Sequence, residues 1–247
     1  MDTNETKEDI PNKAVDIHNY LKLKESIERE TGFKLSFEGI YKWIAFIHSK
    51  ANDILPVPNL YFGAFSDGGL KIRGIEARRH DTPPLFSRCQ NEILKVMAID
   101  GNTINEVKSL LPTKVNDIFL KYVIALKEGR VPIEELAYTK RLSKNSSEYQ
   151  NRDTIENSAL HLIENEGKYL KAGEILKYVI TNYYSRRMGN NRAIPIDVFD
   201  GNMYDIRRYT ILLAETCNSV TEPFGHVIST KHITTIPLLI MNKPIHA

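Results

Sequence analysis

Lys71, Arg73, Arg78, Arg79 and His80 crowd the stretch GLKIRGIEARRHDTPPLF, residues 69–86, before the chain breaks at Asp81-Thr82-Pro83-Pro84. Strand alternation puts Leu70 and Ile72 on one face and Lys71 and Arg73 on the other. The phase slips at Gly74, because Ile75 is apolar where a charge is due; a glycine inside a strand marks a bulge or a close backbone approach. Arg78 and Arg79 carry the charge on toward a helix start, whose free amides also favour an anion. Donors of this kind suit phosphate oxygens, which accept hydrogen bonds without regard to base identity. A solvated strand face with surface ion pairs to Glu76 and Asp81 accounts for the same residues, and the residues alone favour that plainer reading.

A second cationic run, YTKRLSKNSSEYQNR at 138–152, carries Lys140, Arg141, Lys144 and Arg152 among tyrosines and hydroxyl residues. This mixture suits a nucleic-acid backbone, and it equally suits a flexible polar loop. A third run, YYSRRMGNNR at 183–192, reads as a hairpin turn with solvated arginines. Signals for catalysis are poor. The seven histidines are scattered without metal-ligand spacing, and there is no P-loop, serine elbow or paired cysteine motif. Glu38 is a lone carboxylate whose default role is to pair with Lys42 or Lys71. By itself the chain does not read as a complete enzyme.

The bulk figures are those of a globular protein: 247 residues, 42% hydrophobic, 26% charged, net charge +2. A balance this near neutrality does not announce a nucleic-acid binder, so any polyanion site must arise from local clustering. Cys89 and Cys217 lie far apart in the chain, which fits a reducing compartment and offers no disulfide framework or zinc site. No apolar run reaches the length of a membrane span. The opening MDTNETKEDIPNK is acidic and polar, unlike a secretory signal. A cytoplasmic location and no membrane partner are therefore expected.

Positioning these residues requires an antiparallel meander. Residues 13–30 predict a helix, capped by Asn12, striped by Ala14, Ile17, Leu21 and Ile27 and stopped at Gly32. Strands are predicted at KLSFEG (34–39), KWIAFIHS (42–49), NLYFGAFS (59–66) and GLKIRGIE (69–76), with KANDILPVPN a loop because of Pro56 and Pro58. A helix capped by Asp81 or Thr82 follows, with Phe86, Cys89, Ile93 and Val96 on one face. After a break at Asp100-Gly101-Asn102, helix is expected over 103–128 with an interruption near Pro112. GRVPIEEL reads as a connection. A helix from Asp153 to residue 166, strands in GEILKYVITNYY and RAIPIDV, and a helix from Tyr204 to Val220 complete the body, before a loose tail. There is no internal repeat and no low-complexity tract.

Taken in order, KLSFEGIYKWIAF, NLYFGAFSDGGLKIRGIEARRHDTPP, VPIEELAYTKRLSK and KYLKAGEILKYVI make the chain similar to the C-terminal part of family B DNA polymerases, especially archaeal ones. That family has a Glu-Gly-x-Tyr-Lys strand, then Lys-x-Lys/Arg-Gly-x-Glu-x-x-Arg-Arg-Asp, then a helix and a thumb with Pro-x-x-x-Leu, Thr-Lys and Gly-x-x-Ile-x-Tyr-Val-Ile. The combination is specific, although each piece alone is weak, and it covers residues 1–225. The resemblance implies an α+β fold: 1–98 as distal palm, antiparallel strands with flanking helices; 99–225 as a mostly helical thumb with a small β hairpin; 226–247 as a tail.

The resemblance also implies roles. Lys71 and Arg73, beside Gly74, would grip the primer strand of a primer–template duplex near its 3′ end. Arg78 and Arg79 would add charge or brace the palm, and Lys140, Arg141 and Lys144 would touch the duplex backbone from the thumb. Tyr61 fits the tyrosine of a family Lys-Lys-x-Tyr cluster, but Asn59 and Leu60 replace the lysines, which puts part of the expected minor-groove contact in doubt. The opening Asp2-Thr3-Asn4 aligns with the family's Asp-Thr-Asp metal motif, a disordered start being the plainer alternative. Asp2 would match the first aspartate and Asn4 would stand at the second. Two-metal phosphoryl transfer needs carboxylates to hold Mg²⁺, and asparagine offers a carbonyl oxygen without the charge. The family's other aspartate, its fingers and its exonuclease lie upstream of the matched part. The isolated chain is thus expected not to polymerise DNA or to bind Mg²⁺ alone. It is expected either to complete a split replication or repair polymerase with an upstream polypeptide, or to be a non-catalytic DNA-binding remnant. An unrelated α+β binding protein is the weaker third reading.

Overall fold

The computed structural model describes residues 13–49, 52–149, 154–185, 192–201 and 203–230. It divides into two compact units, with the break between Ile40 and Tyr41. In the first, α1 (Lys13–Thr31) ends where Gly32, at φ 72°, donates its amide to the Glu28 carbonyl, the left-handed stop that glycine permits. The expected strand at 34–39 does not form; residues 32–40 carry no regular structure. Alternating Leu35 and Phe37 mimic a strand, but a strand needs a neighbour to receive its hydrogen bonds. Here the Leu35 amide donates instead to Glu28 Oε1 at 2.8 Å, and Phe37 packs its ring 5.1 Å from that of Tyr20.

Among the described residues, the second unit holds two three-stranded antiparallel sheets joined by helices. The first sheet runs β1 (Tyr41–Ser49), β2 (Asn52–Phe65), β3 (Leu70–Arg73) in that spatial order. The proline segment expected as a loop is part of β2. Proline is tolerated there because β3 pairs only with residues 61–64, so one edge of β2 is unpaired at Pro56 and Pro58. The irregularity is absorbed by register shifts after Phe46 and by Asn59, at φ 60°. Trp43, Ala45, Phe62 and Ala64 are buried on the inner face of this sheet.

That inner face meets α2 (Pro84–Asp100) and the 3₁₀ turn Glu222–Phe224, and α2 in turn packs on α3 (Ile104–Lys127) and α6 (Ile206–Thr221). No side chain caps α2: Pro83 occupies the N-cap and Pro84 the first turn, in place of the expected Asp81 or Thr82 cap. α3 is continuous through Pro112, which is exposed; one ladder bond is lost and the Asn116 amide donates to the Pro112 carbonyl at 2.6 Å. The expected interruption is therefore only a missing hydrogen bond. The connection GRVPIEEL contains a single turn, α4 (Ile133–Leu136).

The second sheet runs β4 (Tyr138–Arg141), β5 (Ile175–Ile180), β6 (Ala193–Pro195), so a third strand joins the expected hairpin. α5 (Ile155–Asn165) starts with the Thr154 side chain as cap and packs on this sheet. The α+β class read from the sequence holds. The residue 98/99 boundary falls inside the second unit, two residues before the end of α2.

The core is knit by residues far apart in the chain. Cys89 and Cys217, expected to be unrelated, are both fully buried with their sulfurs 3.7 Å apart where α2 crosses α6. Both are free thiols, and the hydrogen bond with Cys217 together with burial pushes the Cys89 thiol up. Buried Gln90 accepts from the Ala77 amide at 2.6 Å and shares its own amide among Glu76, Thr216 and Ser219. Tyr209 is completely buried; its hydroxyl donates to the Leu136 carbonyl at 2.7 Å and accepts from the Ile180 amide at 3.1 Å. Tyr209→Phe would leave both groups unpaired in the core, a loss of about 1–3 kcal/mol. Urea unfolding should show a lower midpoint at unchanged slope.

Candidate nucleic-acid interface

The register of the first sheet fixes which side chains share its outer face. Arg73 pairs with Tyr61, and Tyr61 with Phe46, so these three form one row across the strands. Lys71 pairs with Gly63, and Gly63 with Ile44, forming the next row. Lys71 and Arg73 thus lie on one face, as alternation requires, while Leu70 and Ile72 pack against the core. Arg73 is exposed and Phe46 is 49% exposed, with its ring 5.7 Å from that of Tyr61.

Gly63 opens space on this face. A Cβ there would stand 2.9 Å from Tyr41 Cδ1, so the Tyr41 ring occupies the missing side chain's place and stacks on Phe65 at 4.4 Å. The result is a sheet face of aromatic rings edged by two cations on β3. Phe46, Tyr41 and Phe65 were not singled out in the sequence, although the phase of KWIAF, with Trp43 and Ala45 inward, already turns Phe46 outward. Such a face offers guanidinium and ammonium donors to phosphate and ring planes to sugar or base.

Gly74 closes β3. Its φ is 72°, and a Cβ would lie 2.6 Å from the Asn59 carbonyl oxygen. Here the close backbone approach expected from the broken alternation is found, with β2 as the neighbour.

The other cations are dispersed. Arg78 is exposed at the end of a 3₁₀ turn, Glu76–Arg78. Arg79 is committed to Asp81, its Nε and Nη2 donating to the two carboxylate oxygens at 2.8 and 2.6 Å; this guanidinium holds the Asp81 carboxyl below its ordinary range. Glu76 is turned inward to Gln90 and Ser219. The start of α2 is a poor anion cradle, because Pro83 and Pro84 remove two amide donors just where free ones were expected.

On β4, successive residues Lys140 and Arg141 project to opposite faces. Lys140 lies on the side of Tyr138, which stacks on Tyr178 at 5.6 Å, and Arg141 lies with exposed Lys177 on the other. Lys144 donates to the Glu148 carbonyl at 2.8 Å and sits 4.8 Å from the Tyr149 ring centre. The structure therefore brings Tyr61, Lys71, Arg73 and Gly74 together and does not gather Lys140, Arg141 and Lys144 on one face. Asp2, Asn4 and Arg152 lie outside the described residues. Among the described residues no three histidine, cysteine or carboxylate side chains group as metal ligands, so nothing there fits a two-metal centre. No described helix is long and apolar enough to cross a membrane.

The model of DNA polymerase family B matches residues 6–222. Similar curated proteins include the DNA polymerase of Archaeoglobus fulgidus, 28% identical over 207 residues, covering 82% of this chain and 22% of that protein. DNA polymerase 1 of Sulfolobus acidocaldarius is 26% identical over 208 residues, covering 81% and 21%. The chain spans about a fifth of the length of these relatives. Among solved structures, the family B DNA polymerase of Pyrobaculum calidifontis superposes with a TM-score of 0.58 at 20% identity, over 85% of this chain and 24% of that one, a likeness of fold.

Proposed function

Because the chain belongs to DNA polymerase family B, we propose that it supplies the distal palm, residues 1–98, and the thumb, residues 99–225, of such a polymerase and grips primer–template duplex DNA by its backbone. The observation that carries this reading is the outer face of the first sheet, where Lys71 and Arg73 border the Phe46–Tyr61 rings on β3 and its neighbours. Arg78 adds charge at the rim, and Arg79 braces the turn through Asp81. Lys140 and Arg141 would reach the duplex from opposite faces of the second sheet, and Lys144 would do so only after leaving Glu148.

Nucleotidyl transfer on this reading needs an upstream polypeptide with exonuclease, fingers and the first palm aspartate. Asp2 is the one Mg²⁺ ligand this chain is proposed to add. In the first unit, Phe33 is 73% exposed and Phe37 57% exposed, apolar area of the kind that a missing neighbour would cover. A second reading, a non-catalytic DNA-binding remnant, draws on Asn4, on the proposed alignment of Asp2-Thr3-Asn4 with the family's Asp-Thr-Asp motif.

Both readings require duplex binding that weakens steeply with salt, since phosphate neutralisation releases counterions. Fluorescence anisotropy with a labelled primer–template across a salt series should show it; absent or salt-insensitive binding would sink both. Primer extension with Mg²⁺, with and without the upstream polypeptide, separates them. Extension only in the mixture supports the split polymerase, and an intact complex that never extends supports the remnant.

A further inference from the structure

Away from the first sheet, α2 and α3 border an open groove of about 740 Å³. It lies on the face of α2 turned away from the buried one, so it is separate from the surface proposed to hold DNA. We propose that this groove binds a phosphate-bearing ligand of nucleotide size. The volume falls within the range of small-ligand sites. Four cations line it, Arg88, Lys95, Lys121 and Arg130, against a single lining carboxylate, Glu92.

The cations are held in place but not used up. Lys121 donates to both oxygens of Glu92 at 2.8 Å, and Tyr122 fixes that carboxylate with a third hydrogen bond at 3.0 Å. Burial and Glu92 keep the Tyr122 hydroxyl protonated. Arg88 pairs with Glu135, and Arg130 with Glu128 at 2.5 Å; both carboxylates lie outside the lining. Lys95 is exposed and forms no ion pair among the described residues.

The Arg130–Glu128 pair, with both side chains more than half exposed, contributes little because water and salt screen it, whereas the bidentate Arg88–Glu135 pair is held more firmly. An entering phosphate, with three oxygens and up to two charges, can draw on Lys95 and share Arg130 without a large loss. Arg88 gives both terminal nitrogens to Glu135 and Arg130 gives Nε and Nη2 to one oxygen of Glu128, which leaves Arg130 Nη1, Lys95 and Lys121 to meet a phosphate first. Beside the charges, Ile124, 46% exposed, and Val131 offer an apolar wall for the rest of the ligand.

Isothermal titration of the full chain with ADP, inorganic pyrophosphate and adenosine tests this. ADP and pyrophosphate should bind saturably, and adenosine at least about tenfold more weakly, since charge-assisted bonds dominate. The double variant Lys121→Ala, Arg130→Ala should weaken ADP binding about tenfold or more while duplex DNA binding is retained. Lys95→Glu, a reversal at an exposed position, should weaken it in the same direction and guards against a folding defect in the double variant. Absence of saturable ADP or pyrophosphate binding up to roughly 10 mM would overturn the proposal. So would unchanged ADP affinity in both variants, or loss of duplex binding with ADP binding intact, which would make the groove part of the DNA surface.

Discussion

With alanine at both Lys71 and Arg73, duplex DNA affinity is expected to fall at least tenfold at low salt and the salt slope to flatten by about 2. The reasoning is electrostatic. Each neutralised phosphate contributes a slope of about 0.9 for B-form duplex, and the two residues stand side by side on one face of β3. The loss should be nearly uniform across DNA sequences, because backbone contacts carry no base information. Tyr61→Ala, in the same row as Arg73, should weaken binding while leaving the slope unchanged, since it removes a ring and no charge. A double variant that keeps the wild-type slope would remove this sheet face from the interface. Arg79→Ala is the internal contrast: its guanidinium already serves Asp81, so its removal should move the slope less than that of exposed Arg73.

Gly74→Ala is expected to cost about 2–3 kcal/mol of stability. About 1–2 kcal/mol comes from forcing an L-residue into the left-handed region. The rest comes from the Asn59 carbonyl, 2.6 Å from the new methyl, which must move with β2. Gly68→Ala isolates the two effects. Gly68 also has positive φ, 90°, but nothing lies within 4 Å of its Cβ direction, so only the conformational part applies. Urea unfolding of the two variants should differ by about 1 kcal/mol or more. Because Gly74 follows Arg73 directly, its variant should also lose DNA affinity at temperatures where it is still folded. Equal destabilisation of the two variants would mean that the approach to Asn59 is not tight.

Much of this was legible because it is local. The phase of KWIAF and of LKIR assigns faces to the first sheet without knowledge of its partners, and the slip at Gly74 points to the backbone contact that is found. What was not legible depends on neighbours. Leu35 and Phe37 alternate as a strand does, yet among the described residues no strand is hydrogen-bonded to them. Pro56 and Pro58 read as loop because a proline breaks a paired strand, whereas this stretch of β2 is paired on one side only. The cysteines looked solitary since their helices meet through the tertiary fold, and Glu76 looked like an ion-pair partner because Gln90 and Ser219 are distant in sequence. At the candidate interface, the cations announced themselves by charge. Phe46 could have been read from the phase of KWIAF, but the rings of Tyr41 and Phe65 could not, since their pairing beside Gly63 exists only once the sheet is assembled.

Trp43, the sole tryptophan, lies edge-on to Phe224 at 5.6 Å, and its indole N–H donates to the Gly101 carbonyl at 3.1 Å. A residue near the start of the second unit is thus sealed by one more than 180 positions later. During synthesis the early strands must wait for that late segment, with the indole partly wet until it emerges from the ribosome. Long-range closure of this kind slows folding, and it makes tryptophan emission an intrinsic clock for when the turn at Phe224 docks.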